Sequence, residues 1–178
     1  MKGTKMANNQ MNSTDFIFSY KADEYTNVDS FLSSHRLNAV EIQFLTALFG
    51  SNQGQKVPLN EKDGSGQRSL SRTVFDKNAP DMERNFGLIT ILNNQDVSYG
   101  DLLNKKAFQK NDDGRKFFEL ENVSEFYTSF LGGIESLNDL ITEYGNNERD
   151  VFDGLFEYLT DDDNVEIIEN VAKQVKIK

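Results

Sequence analysis

The sequence predicts an α+β fold, with a small N-terminal mixed half of a few short strands followed by an acidic three-helix C-terminal lobe. Three observations lead there. Asp15-Phe-Ile-Phe-Ser-Tyr20 and Phe86-Gly-Leu-Ile-Thr-Ile-Leu92 are runs rich in aromatic and β-branched residues, which suit strands. Phe126, Phe130, Ile134, Leu137, Ile141 and Tyr144 recur at steps of 4, 4, 3, 4 and 3, one face of a helix over about five turns. Charge is also polarised along the chain. Residues 117–172 carry fifteen carboxylates against Arg149 alone, a local net charge of −14, whereas residues 1–90 balance ten bases with ten acids. The acidic end should repel nucleic acid and anionic membrane, and attract basic protein surfaces.

A chain of 178 residues is long enough for one good core. Its apolar fraction of 37% is low, but 14 Phe and 6 Tyr supply large buried areas and argue against disorder. The absence of cysteine excludes disulfides, thiolate metal sites and cysteine nucleophiles, and it fits a reducing compartment. The start, MKGTKMANNQMNST, has lysines but no apolar segment behind them, unlike a signal peptide. No apolar run approaches the roughly 20 residues of a membrane span. A cytoplasmic location is expected, and the sequons at Asn12 and Asn122 are then chance matches.

Residues 1–14 form a disordered tail and residues 15–116 the mixed half; with the lobe at 117–178 they make one compact domain. Phe16, Phe18 and Tyr20 open the mixed half as a short strand. The first helix starts at Asn38, whose side chain caps the turn while Glu41 reaches back and Leu37 staples against Ile42. Val40, Phe44, Leu45, Leu48 and Phe49 make its apolar stripe, and Gly50 ends it as a left-handed cap. From Gly50 to Arg68 only Val57 and Leu59 are large and apolar, which predicts a flexible loop over 50–68. Residues 69–76 hold a short element. After the Phe86–Leu92 strand, Ser98 and Asp101 cap a second helix, with Val97 and Leu102 as its staple. Residues 110–115 form a turn and 116–121 a strand.

In the lobe, Asn122 and Glu125 repeat the capping pattern, and Gly145 closes the long helix. Gly132-Gly133 inside that helix costs roughly 2 kcal/mol relative to alanines, so either another backbone approaches there or the helix bends. Residues 147–160 form the next helix, and Asp163 caps the last, which turns Val165, Ile168, Ala172 and Val175 inward. Their short connections make the three helices antiparallel neighbours.

Several chemistries are excluded by the residues themselves. The lone histidine, His35, cannot build a two-histidine metal site, and no second histidine exists for a catalytic triad. Asp161-Asp-Asp-Asn-Val-Glu166 and Lys110-Asn-Asp-Asp-Gly114 lack the ligand spacing of a calcium loop, so no metal is expected. Gly64-Ser-Gly66 lacks the third glycine and the preceding strand of a dinucleotide fingerprint, so no cofactor is expected either. No pair of acids has a spacing tied to general acid–base work.

Two surfaces are left. Glu135, Asp139 and Glu143 line an outer stripe of the long helix, and Asp161, Asp162 and Asp163 add a second acidic source. With no cation at i,i+4 among them, these acids suit contact with a basic partner, though the same pattern also suits a solvated face that keeps the chain soluble. Lys56, Lys62, Arg68 and Arg72 form the most basic region and are candidates for phosphate binding, with a solvated loop as the plainer reading. The sequence thus favours a non-enzymatic acidic interaction factor: an inhibitor, an assembly factor or a nucleic-acid mimic that occupies a basic partner surface. Small acidic, cysteine-free proteins of that kind are common products of phages and mobile elements. The alternatives are a nucleic-acid-binding regulator that uses residues 50–77 and a small carboxylate-based hydrolase or nuclease.

Overall fold

The computed structural model describes residues 16–59, 66–70, 77–109 and 119–144, with Arg149 and Asp153; at 16–18 and 66–70 it describes the backbone alone. In chain order the elements are β1 (Phe16–Tyr20), α1 (Ala22–Ser34), α2 (Ala39–Asn52), β2 (Gly66–Leu70), α3 (Ala79–Asn93), α4 (Tyr99–Asp101), a π-helix over Leu102–Ala107, and α5 (Glu121–Glu143). The protein is predominantly helical, which corrects the α+β expectation of a mixed half built on a few short strands. The strands among the described residues form one two-stranded antiparallel ribbon, with Phe16 opposite Leu70 and Tyr20 opposite Gly66.

The expected strand Phe86–Leu92 lies inside α3. Its β-branched content misleads because residue propensity is a weak prior that burial overrides. Met82, Phe86 and Ile89 are buried at helical spacing, and Leu88, which alternation would place with Phe86, is among the exposed large apolar residues. The Thr90 hydroxyl is satisfied inside the helix by donating to the Phe86 carbonyl oxygen at 2.9 Å. Pro80 and Asp81 in the first turn are ordinary helix-start signals. The strand expected at 116–121 is corrected where it can be followed, because Glu121 begins α5.

Helix α1 has no counterpart among the expected elements. It buries only Tyr25, Val28 and Leu32, so its apolar stripe is thin. The capping at Asn38 is as expected. The Asn38 side chain accepts from the backbone of Val40 (2.9 Å) and Glu41 (3.1 Å), and Glu41 Oε2 accepts from the Asn38 N–H at 2.8 Å. Leu37 and Ile42 join the same apolar cluster. Gly50 does not end the helix, which runs on to Asn52, and the left-handed glycine is Gly54, with φ 64°.

Helix α5 is the axis of the fold. Its 23 residues span about 34 Å at 1.5 Å per residue, and α1, α2, α3 and the π-helix all pack on it. One cluster gathers Met82, Phe86 and Ile89 of α3 around Val123, Phe126, Tyr127, Phe130 and Ile134 of α5. The other joins Val28 and Leu32 of α1 with Ile42 and Phe49 of α2 and Leu137 of α5. Ring contacts run Tyr20–Tyr25 (5.3 Å), Tyr25–Phe130 (6.0 Å) and Phe130–Tyr127 (6.3 Å), so Tyr20 ties the ribbon to the core. Leu137 is 1% exposed, and Leu137→Ala should cost about 2–5 kcal/mol, whereas Glu135→Ala on the exposed face should cost little. Denaturant melts of the two variants check this, and equal losses would mean that the wrong face of α5 is inward.

The Gly132-Gly133 pair marks a close backbone approach, since the helix continues unbroken through both residues. A Cβ on Gly133 would collide with the Thr46 carbonyl oxygen, one on Gly50 with that of Ser129, and one on Gly132 with that of Gln55. Small residues on both helices therefore let α2 and α5 cross backbone to backbone.

The segment expected as a flexible loop over 50–68 is corrected at both of its ends. Gly50–Asn52 belongs to α2, and Gly66–Arg68 belongs to β2. Between them, Gln53–Leu59 lies as a strap along α5: the Val57 N–H donates to the Thr128 carbonyl oxygen at 3.1 Å, and Ser136 Oγ donates to Gln55 Oε1 at 2.5 Å. Val57 and Leu59 pack against the first cluster. Polar residues dominate the strap because it needs only two apolar anchors. Of the short element expected at 69–76, Ser69 and Leu70 belong to β2 and the rest lies outside the described residues. So do the tail at 1–14, the turn at 110–115 and the helices expected at 147–160 and after Asp163, apart from Arg149 and Asp153.

Candidate functional site

The start of α5 is positioned by side chains from neighbouring elements. Asn122 does not cap it with Glu125 as expected; α5 begins two residues earlier than that cap implies, after Leu120. Asn122 is buried, and its amide donates to the Ala107 carbonyl oxygen at 3.1 Å, at the end of the π-helix. The cap comes from outside the helix, where Gln109 Oε1 accepts from the Glu121 N–H at 2.9 Å.

The described carboxylates of α5 divide into two groups. Three of them are matched by lysines from other elements. Lys106 of the π-helix reaches Glu121 at 2.8 Å, Lys56 of the strap reaches Glu125 at 2.7 Å, and Lys21 before α1 reaches Glu135 at 3.3 Å. The expectation of an acidic stripe without cations is therefore corrected at Glu135. Lys21 also meets Glu24 at 3.2 Å, and the hydrogen bonds its ammonium donates to Glu24 and then to Glu135 raise its pKa above the ordinary lysine value. Hydrogen bonding to Glu121 raises that of Lys106 in the same way.

Asp139 and Glu143 make up the second group. Both are exposed, and among the described residues neither has a cationic or hydrogen-bonding partner. They occupy the C-terminal half of α5, whose last turn holds no basic residue. Negative charge there opposes the helix macrodipole as well as its neighbours, and the disadvantage is a few tenths of a kcal/mol for each interaction. Asp161, Asp162 and Asp163 lie outside the described residues, so Glu135, Asp139 and Glu143 are the part of the predicted acidic surface that can be placed.

The candidate phosphate-binding set is not assembled by the described residues. Lys56 is committed to Glu125, Arg68 lies on β2 with only its backbone described, and Lys62 and Arg72 lie outside. Glu125 is instead the hub of a polar network that sequence reasoning missed. Asn93 Nδ2 donates to Glu125 Oε2 at 2.8 Å and to Ser129 Oγ at 3.0 Å, and Ser51 Oγ donates to Asn93 Oδ1 at 2.8 Å. These contacts lock the ends of α2 and α3 to α5, and they include the Lys56 ammonium through Glu125. No local pattern signals the network, because its members come from separate elements.

His35 sits at the C-terminal end of α1 with its Nδ1 2.8 Å from the Phe31 carbonyl oxygen, which accepts the ring N–H, and its ring 4.7 Å from that of Phe31. That is a helix-end contact. Among the described residues no group of three His, Asp or Glu side chains could hold a metal ion, and no helix is long and apolar enough to cross a membrane.

The cap expected at Ser98 is present: Ser98 Oγ accepts from the Asp101 N–H at 3.3 Å and donates to Asp101 Oδ2 at 2.7 Å. Hydrogen bonds from Lys105 and then Ser98 hold the Asp101 carboxyl below its ordinary pKa. A carboxylate pKa lowered on folding contributes stability above the unfolded pKa, and that contribution is lost as pH falls through the folded pKa. Lys105→Met should raise the Asp101 pKa toward the ordinary carboxylate value, as read by NMR titration of its side-chain carbon. An unchanged midpoint would show that the Lys105 contact at 2.6 Å does not persist in solution.

Comparison with protein-family models, with curated proteins and with solved structures finds no match to this chain.

Proposed function

We propose that the protein is a non-enzymatic, cytoplasmic interaction factor that engages a basic protein surface through the acidic outer face of α5. The observation that carries this reading is the pair Asp139 and Glu143, exposed carboxylates without a partner among the described residues, near the negative end of the helix. Surface acids kept only for solubility gain from nearby lysines, as Glu121 and Glu125 do. Asp139 and Glu143 forgo that gain, and Glu135 at the other end of the stripe has half its side chain exposed beside Lys21. A lysine- or arginine-rich partner surface would supply the missing countercharge, and complementary fields of that kind act mainly on the rate of encounter. The whole-chain net charge of −10 supports the same reading, because it disfavours approach to nucleic acid.

The test is the combined variant Glu135→Gln, Asp139→Asn and Glu143→Gln, which changes charge with little change in shape. Proteins retained from host lysate by the wild-type chain at low salt and lost with the variant identify the partner, and the complex is then measured over a salt series. Association should slow in the variant, and the difference should shrink as salt rises. The fold should change in stability by less than about 1 kcal/mol, because relief of repulsion at Asp139 and Glu143 offsets the lost Lys21–Glu135 contact. A complex that survives the triple neutralisation at low salt, or binding of the wild-type chain to DNA at physiological salt, overturns the proposal.

A further inference from the structure

We draw no further inference here: the strongest candidate, the exposed apolar patch of Leu88, Tyr99 and Phe108 on α3, α4 and the end of the π-helix, carries none because nothing in the structure shows what covers it.

Discussion

Replacing Gly133 with alanine should destabilise the protein by about 3 kcal/mol or more, although the same change in an isolated helix would stabilise it by up to about 1 kcal/mol. The sign reverses because of what the new methyl group meets. On Gly133 it would overlap the carbonyl oxygen of Thr46, and the Gly50 backbone nitrogen would be 2.9 Å away. Neither obstacle is the flexible end of a side chain. Relief requires α2 to move off α5, and that motion would disturb the buried contacts of Thr46, Ala47 and Phe49 together. Gly100→Ala is the internal control, since nothing lies within 4 Å of a Cβ placed there and its backbone is helical. That change should stabilise by about 0.4–1 kcal/mol through the unfolded chain. Chemical denaturation of both variants provides the comparison, and a Gly133→Ala protein as stable as wild type would mean that the two helices do not cross backbone to backbone.

What could be read from the sequence follows the range of the interactions involved. The Asn38–Glu41 cap was legible because donor and acceptor sit three residues apart. The long helix was legible because its apolar spacing persists over about five turns, longer than any competing pattern can sustain. Its glycine pair was legible only as two options, a bend or a close approach, and the choice needed the position of Thr46. Phe86–Leu92 was misread because a helix buried on several sides has lost the polar positions that would reveal its period, so β-branched content decided wrongly. Helix α1 was missed for the opposite reason, since three buried side chains among polar neighbours make too thin a stripe to stand out.

The candidate site divides along the same line. That Glu135, Asp139 and Glu143 share an outer stripe is a matter of helical period, and the structure exposes all three. Which acids are neutralised is not a local property. Lys21, Lys56 and Lys106 come from three different elements, so a count of charges within the acidic segment could not find them. Among the described residues the folded chain pairs Glu121, Glu125 and Glu135 with lysines, and Asp139 and Glu143 have no such partner. Of the candidate phosphate set only the Lys56 side chain is described, and its contact with Glu125 is likewise one that no local pattern reveals.

Phe126→Ala should be among the most damaging single changes in the core, at about 3–5 kcal/mol, which for a domain of this size corresponds to a fall in Tm on the order of 10 °C. Phe126 is fully buried. Its ring meets Phe86 edge-on at 5.0 Å and Tyr127 at 5.1 Å, with interplanar angles of 73° and 83°. That geometry sets the positive edge of one ring against the negative face of another, and such a pair contributes about 0.5–1.5 kcal/mol beyond the area it buries. The pair joins α3 to α5, so it also tests whether Phe86 stands on a helix packed against α5 or on a strand that faces elsewhere. A double-mutant cycle of Phe86→Ala and Phe126→Ala separates these alternatives. Coupling of about 0.5–1.5 kcal/mol is expected if the rings touch as described, because the second truncation then removes a contact already lost. Losses that simply add, within about 0.3–0.5 kcal/mol, would mean that the two rings are not neighbours and that α3 is wrongly placed. Retention of helical content in the far-ultraviolet circular dichroism of the Phe86→Ala variant is the accompanying check, since the truncation removes packing from α3 without introducing a helix breaker.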